Sequence, residues 1–170
     1  MDNKNDYEIK VDGEFHQFEG GGIRYTKTGK GRFDLIPKET LVYVISEIDN
    51  MWNGDIYDKR DILISYCNQN FIEVIAGIVI NHYNMQPDRT GRIGHNDFYR
   101  GFAQMLRELA IHYEKGADKY GENNWKKGIP LTSFEDSGFR HLCQWMNGET
   151  DEPHHISAIW NMMCWLYLSA

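Results

Sequence analysis

The fold of this chain is decided by its most apolar segment, ILISYCNQNFIEVIAGIVI at residues 62–80. Its β-branched residues would suit strands, yet the segment is long, contains a single glycine and no proline, and is interrupted by Asn68, Asn70 and Glu73. This pattern favours a buried helix, which we predict over residues 59–83. No alternating strand pattern of convincing length occurs elsewhere in the chain.

Apolar side chains recur at helical spacing in four other segments. Pro37 and Ser133 lie where helices can begin, because proline suits a first helical turn and a serine side chain can cap one. The predicted helices span residues 38–53, 97–116, 133–145 and 151–168. We therefore predict an all-α fold, a bundle of about five helices behind an N-terminal basic loop.

Length and charge limit what the protein can be. The 170 residues suit one compact domain, which we place at 23–170 after a flexible polar arm at 1–22. The net charge of −7 argues against a nucleic acid polymer as partner, because binding one requires clustered lysines and arginines. An anionic ligand would need local positive charge or a bound cation.

The cysteines and the hydropathy pattern indicate the compartment. Cys67, Cys143 and Cys164 are odd in number and lack C-x-x-C spacing, so they suggest neither a disulfide framework nor a zinc knuckle. No apolar run follows a basic N-terminus, and no apolar stretch approaches the roughly 18 residues of a membrane span. We expect a soluble cytoplasmic protein without a membrane partner.

A basic, glycine-rich loop precedes the first helix. It carries Arg24, Lys30 and Arg32 beside Gly29 and Gly31, and it closes on an apolar Leu-Ile-Pro run. Its glycines allow the backbone to approach a ligand closely, and its charges suit a triphosphate. The loop lacks the full GxxxxGK[ST] pattern, so it is not a P-loop.

Two acidic clusters are candidate metal ligands. Glu108 and His112 are four residues apart and share a helix face, although an exposed surface pair would have the same spacing. Glu149 and Glu152 can point together if their segment turns helically, and Asp151 offers a further oxygen. Such ligands suit Mg²⁺ or Mn²⁺, whereas the alternative is an acidic first turn that stabilises the helix dipole.

Polar residues also interrupt the apolar faces of the last two predicted helices. His154 and Asn161 are seven residues apart among apolar neighbours, and a buried polar pair must be satisfied or functional. A core histidine bonded to a core amide is the alternative. Arg140 and His141 lie on the preceding helix, where an arginine commonly faces a phosphate or a carboxylate. An internal ion pair with the acidic cluster is the alternative for Arg140.

Four sequence blocks occur in a distinctive order. They are GIR at 22–24 with GKGRFDLIP at 29–37, GADKYG at 116–121 with NW at 124–125, Ser137 with RH at 140–141, and GETDEPH at 148–154 with WN at 160–161. In these blocks the chain resembles the dATP/dGTP diphosphohydrolases found largely in phages and prophages, which are associated with the all-α NTP pyrophosphohydrolase (MazG-like) superfamily. Residues 44–97 look like an insertion relative to shorter family members.

The resemblance implies hydrolysis of a purine deoxynucleoside triphosphate to the monophosphate and pyrophosphate, with Mg²⁺ or Mn²⁺. The implied metal ligands are Glu108, His112, Glu149, Asp151 and Glu152. The superfamily pattern is two E-x-x-E/D pairs, and this sequence departs from it because Ile111, followed by His112, stands where the second carboxylate after Glu108 is expected. The implied catalytic residues are Glu108, Glu149, Lys119 and Arg140.

The same resemblance implies a set of substrate-binding residues. They are Arg24, Lys30, Arg32, Tyr120, Asn124, Trp125, His141, His154 and Asn161. The cations would hold the phosphates, Tyr120 or Trp125 would stack on the base, and Asn124 or Asn161 would read a base edge. Core packing is the alternative for Tyr120 and Trp125.

Two further expectations concern function class and assembly. The departure from the metal pattern keeps open a protein that binds a nucleotide, to sequester or sense it, without turning it over. A structural phage protein is a weaker alternative. The apolar residues of 59–83 surround much of their helix, so we expect a homo-oligomer, a dimer or tetramer as in the superfamily, in the bacterial host cytoplasm if the chain is phage-encoded.

Overall fold

Residues 15–17, 19–25 and 29–170 are described by the computed structural model of this protein. Within these ranges, six α-helices follow a two-stranded hairpin, and one-turn 3₁₀ helices lie at Phe33–Leu35 and Asn124–Lys126. The main elements are β1 Phe15–Gln17, β2 Ile23–Tyr25, α1 Lys38–Met51, α2 Lys59–Cys67, α3 Phe71–His82, α4 His95–Tyr120, α5 Leu131–Met146 and α6 His154–Ser169. The predicted all-α fold class is confirmed.

The hairpin lies partly inside the predicted polar arm. β1 and β2 pair antiparallel, with Phe15 opposite Tyr25, and the glycine run between them supplies the turn, in which Gly21 has a φ of 83°. No strand was predicted here, because three-residue strands are too short to show a clear alternation. Residues 1–14 lie outside the described ranges, so the arm at 1–22 and the domain boundary stay predictions.

The segment predicted as one helix over 59–83 forms two helices instead. At the end of α2, the Asn70 N–H donates to the Ser65 carbonyl at 2.8 Å, and Gln69 takes the left-handed conformation with a φ of 56°. A left-handed residue ends a helix, because the next N–H groups fold back onto its last carbonyls. The apolar pattern continues across the break, so the pattern by itself could not show it.

α3 is the central helix of the core. Val74, Ile75, Ile78 and Val79 have no exposed surface, and α3 packs against α1, α4 and α6. Each such side chain contributes roughly 1.5–3 kcal/mol by its burial. The chain covers α3 itself, whereas Ile64 of α2 stays 45% exposed, so α3 by itself does not require a partner subunit. A dimer or tetramer stays a prediction from the resemblance. Among the described residues, no helix combines the length and the apolarity needed to span a bilayer.

The last three helices build the surface on which the predicted site residues lie. α4 has 26 residues and extends beyond the predicted 97–116 to Gly121, which ends it with a φ of 88°. α5 and α6 are joined by a short turn and pack closely at Gly138, where an added Cβ would lie 3.2 Å from the Cβ of Asn161. α4 packs on α6 as well, so the three helices together enclose a groove.

Candidate functional site

One wall of the site is a single face of α4. Glu108, His112, Lys115 and Lys119 recur at intervals of four and three residues, which places them on one side of the helix. All four line a groove of about 640 Å³ between α4, α5 and α6, which we call the central groove. Tyr120 lies at the end of the same wall. Along this helix face, one carboxylate and one imidazole are thus followed by two ammonium groups.

The opposite wall of the central groove comes from α5, α6 and the turn between them. It is lined by Ser137, His141, Glu152, Pro153, Ile156, Ser157, Trp160 and Asn161. The buried Asn161 donates its side-chain N–H to the Ser157 carbonyl at 2.8 Å, which orients the amide. The groove therefore has a polar end at Glu152 and His141 and an aromatic side at Trp160, whose ring lies 5.5 Å from that of His112.

Glu108 is held by three donors from different parts of the chain. Its Oε2 accepts from the Tyr83 hydroxyl at 3.0 Å and is 2.7 Å from Nε2 of His155, and its Oε1 accepts from Gln104 at 3.2 Å. Burial by itself would raise the pKa of Glu108, but the hydrogen bonds from His155, Gln104 and Tyr83 lower it below its ordinary value. The groove therefore contains a fixed, ionised carboxylate.

His155 and His82 form a stacked pair behind Glu108. Their ring centroids are 3.5 Å apart, and Trp145 donates its indole N–H to Nδ1 of His82 at 3.1 Å. Burial lowers the pKa of both histidines, and the positive charge that His155 would carry lowers the pKa of His82 further. Sequence reasoning missed both residues. The only available signal was the position of His155 beside His154 at a helix start.

A second cluster lies where the turn that follows α5 enters α6 at His154. Nδ1 of His141 is 3.0 Å from Nδ1 of His154, and Oε1 of Glu152 lies 3.8 Å and 3.6 Å from these two nitrogens. On the far side of its ring, Nε2 of His154 is 2.8 Å from Oδ1 of Asp151. Burial lowers the pKa of His141, while Glu152 opposes that shift. The structure thus brings together four of the predicted site residues, which are His141, Asp151, Glu152 and His154. Their roles stay predictions.

Glu149 and Arg140 are predicted catalytic residues that the structure places outside the central groove. Glu149 accepts hydrogen bonds from Gln144 and Asn147 and lines a neighbouring cleft of about 530 Å³, which also contains Asp151 and His154. Arg140 is exposed and bonds to Asp136 one helical turn away, at 3.1 Å. Their catalytic roles stay predictions. For Arg140 the ion pair is on its own helix, and not with the acidic cluster.

The basic loop is docked on α4 by its backbone. The N–H groups of Gly29 and Gly31 donate to the two carboxylate oxygens of Glu114 at 2.9 Å and 3.1 Å, and the Arg32 N–H donates to the Ala110 carbonyl at 2.9 Å. Glu114 is buried, with 8% of its surface exposed. Sequence reasoning missed it, although a glutamate beside the apolar Tyr113 on the inner face of a helix signals a need for such donors.

The side chains of the loop have partners of their own. The guanidinium of Arg32 pairs with Asp34 at 2.7 Å and with Glu122 at 2.8 Å. These two carboxylates raise the pKa of Arg32. Lys30 is exposed, and the side chain of Arg24, in β2, lies outside the described part of the chain. Substrate binding by Arg24, Lys30 and Arg32 stays a prediction.

An apolar cavity of about 380 Å³ adjoins the central groove. It shares His112, Gly116, Tyr120 and Trp160 with the groove and is also lined by Asn124 and Trp125. Trp125 is 5% exposed and packs edge to face against Tyr167, with ring centroids 5.2 Å apart. Tyr120 is exposed. Of the two aromatic residues predicted to stack on a base, Tyr120 therefore offers an accessible ring, whereas Trp125 is packed in the core.

His112 lines the groove, but its ring is not among the groups that approach a common ion position. Among the described residues, three clusters of side chains have ligand atoms within 4.8 Å of one another. They are His82 with Glu108 and His155, His141 with Glu152 and His154, and Glu149 with Asp151 and His154. A metal role for His112 stays a prediction, and its position beside Trp160 suits contact with a ligand in the groove.

The burial of His112 predicts a pH dependence of stability. Burial lowers its pKa to about 4 from an ordinary value of 6.5, so the folded chain favours the neutral ring. The contribution of this neutral ring to the free energy of unfolding is fully present above pH 6.5. It is lost as the pH falls toward 4, because His112 takes up a proton first in the unfolded chain. Through this residue, we expect the free energy of unfolding to fall by about 2 kcal/mol between pH 7 and pH 5.

Urea unfolding of the wild-type protein and of His112→Asn at both pH values measures this effect. The variant should lose about 2 kcal/mol less than the wild type over that interval. An equal loss in both proteins would show that the ring of His112 is not desolvated in the folded state.

The fold and the groove define an all-α protein with a mixed carboxylate and ammonium site between three helices. Residues 86–170 match the model of a family described as dATP/dGTP diphosphohydrolase, N-terminal. The chain belongs to this family, which confirms the resemblance seen in the sequence blocks. No curated protein and no solved structure matches the chain. All the residues of α4, α5 and α6 that line the central groove lie within the matched range.

Proposed function

We propose that this protein hydrolyses purine deoxynucleoside triphosphates to the monophosphate and pyrophosphate with the help of Mg²⁺ or Mn²⁺. The family description supports the substrate class and the reaction. The observation that carries the proposal is that Glu108 and Glu152 line the same groove as Lys115 and Lys119. A triphosphate requires both cationic side chains and carboxylates that can hold a divalent ion against its oxygens. We also propose that the protein is a member of the MazG-like superfamily.

The groove offers carboxylate oxygens, the type of ligand that the implied cation prefers, and because Glu108 and Glu152 belong to different clusters, substrate phosphates would complete the coordination between them. Mg²⁺ in nucleotide enzymes is commonly held by one or two carboxylates together with the substrate phosphates. Glu108 and Glu152 supply two carboxylates on opposite walls, and the hydrogen bonds to Glu108 keep it ionised. When bound, Mg²⁺ would neutralise phosphate charge and promote ionisation of the attacking water. Asp151 and Glu149 lie at the edge of this set, in the neighbouring cleft.

The side chains of the chain itself would bind and orient the rest of the nucleotide. Lys115 and Lys119 would pair with phosphate oxygens and stabilise the charge that grows on pyrophosphate as it leaves. The neutral ring of His112 would donate or accept a hydrogen bond without repelling these lysines. The base would enter the apolar cavity beside Tyr120, where Asn124 can read an edge.

Two methylene analogues test the reaction and the bond that is broken. The protein is incubated with dATP and dGTP and with their β,γ-methylene and α,β-methylene analogues, in Mg²⁺ or Mn²⁺, and products are separated by ion exchange. We expect monophosphate from the triphosphates and from the β,γ-methylene analogues, because cleavage lies between the α and β phosphates. The α,β-methylene analogues should bind and stay intact.

The outcomes separate the two candidate functions. Release of dADP and inorganic phosphate from dATP would contradict the proposed cleavage between the α and β phosphates. Calorimetric binding of the α,β-methylene analogue without turnover of any triphosphate would favour the protein that only binds its nucleotide. Absence of both binding and turnover would remove the nucleotide from the central groove.

A further inference from the structure

The turn between α5 and α6 brings two imidazoles and one carboxylate to a common point. His141 lies on α5, His154 begins α6, and Glu152 lies in the turn that joins them. We propose that Nδ1 of His141, Nδ1 of His154 and Oε1 of Glu152 form a binding site for a divalent transition-series cation such as Zn²⁺ or Co²⁺. We call this set the His-Glu-His cluster. It is a nitrogen-rich site that shares Glu152 with the carboxylate set proposed for Mg²⁺.

The separations of the three atoms match those around one ion. The two nitrogens are 3.0 Å apart, and the carboxylate oxygen lies 3.6 Å and 3.8 Å from them. The point equidistant from all three atoms lies about 2.0 Å from each, which is the usual length of a Zn–N or Zn–O bond. The ring centroids of the two histidines are 5.3 Å apart, so their Nδ1 atoms face each other in a hydrogen bond, and both rings would turn toward Glu152 to bind an ion there.

Asp151 prepares His154 for this role. Its Oδ1 lies 2.8 Å from Nε2 of His154, whose side chain has no exposed surface. An ionised carboxylate only accepts hydrogen bonds, so Nε2 of His154 carries a proton, and its Nδ1 accepts a hydrogen bond from Nδ1–H of His141 that an ion would replace. Metal-binding histidines commonly donate their second N–H to a carboxylate in this way, which orients the ring and increases its basicity.

The cluster has an open side toward the central groove. His141 and Glu152 line that groove, and the side chain of Glu152 is 51% exposed. Three protein ligands with one position left to solvent or substrate are typical of catalytic rather than structural zinc sites. Imidazole nitrogens favour Zn²⁺ and Co²⁺ over Mg²⁺, which prefers oxygen ligands only. This inference rests on the geometry of the cluster and does not require the proposed hydrolysis.

Cation binding is measured on the whole chain, without nucleotide, after treatment with a chelator. Zn²⁺ is titrated by calorimetry, and Co²⁺ is titrated while its visible absorption is recorded, because four-coordinate and five-coordinate Co²⁺ absorb more strongly than the hexaaqua ion. We expect one site per chain for either ion, and we expect a large excess of Mg²⁺ not to displace it. Zn²⁺ should also raise the midpoint of thermal unfolding.

Variants locate the site without depending on one buried residue. His141→Gln and Glu152→Gln, at half-buried and exposed positions, should each weaken Zn²⁺ binding by at least about 100-fold, and Asp151→Asn by roughly 10- to 100-fold. His82→Gln is the matched control, because it removes a histidine from the other histidine cluster, and it should bind Zn²⁺ as the wild type does. Circular dichroism checks that each variant is folded.

The proposal is overturned if Zn²⁺ binds no more tightly than Mg²⁺, or if His141→Gln and Glu152→Gln retain full affinity. Loss of Zn²⁺ binding in His82→Gln alone would place the ion beside Glu108 instead and would equally overturn it. Failure of nucleotide hydrolysis leaves this titration unaffected, since no nucleotide is present. The two proposals therefore fail in distinguishable ways.

Discussion

Glu108→Gln is expected to lower the turnover of dATP and dGTP by at least about 100-fold, the usual cost of removing one charge-stabilising group from an active site. The substitution keeps the size of the side chain but removes the charge that would hold a cation in the central groove. Glu108 is ionised and is fixed by hydrogen bonds from Tyr83, Gln104 and His155, so its carboxylate has a defined position in the groove. Monophosphate release under saturating substrate measures the effect.

Asp97→Asn is the matched control for this prediction. Asp97 is an exposed carboxylate on the same helix, its partner Arg100 lies at 3.7 Å, and it does not line the central groove. Its turnover should equal that of the wild type. Thermal unfolding of both variants shows whether the fold is kept. Near-normal turnover in a folded Glu108→Gln protein would remove Glu108 from the proposed cation site.

Gly31→Ala is expected to lower the free energy of unfolding by roughly 3–4 kcal/mol, the combined cost of backbone strain and of overpacking. Gly31 has a φ of 86°, and an added Cβ would lie 2.8 Å from the Cβ of Ala110 and 2.9 Å from the backbone nitrogen of Ile111. The loop would have to leave α4, which would break its hydrogen bonds to Glu114. Denaturant unfolding measures the loss.

Gly29→Ala separates the two causes. Gly29 has a φ of 76°, but an added Cβ would meet nothing within 4 Å. This variant should therefore lose only about 1–2 kcal/mol, the cost of placing a side chain in the left-handed region. Equal losses in the two variants would mean that the close approach of Gly31 to α4 contributes nothing.

The candidate site was only partly predictable from the sequence. Helical spacing placed Glu108 and His112 on one face, and the same spacing applied further along α4 would have added Lys115, which sequence reasoning left out. The blocks at 140–141 and 148–154 indicated that His141, Glu152 and His154 belong together, and the structure brings them within 4.8 Å. Arg140 and Glu149 belong to the same blocks, yet neither of them lines the central groove.

The sequence by itself predicted the helical segments and the faces that they present, though not the break between α2 and α3, because a period of 3.6 residues is a local property of the chain. It could not show which faces meet. The bond between Glu108 and His155 joins residues 47 positions apart, and Glu114 holds Gly31 over 83 positions. Only tertiary packing decides such pairs, because each requires two segments that are distant in the sequence, each compatible with many partners, to be buried against each other.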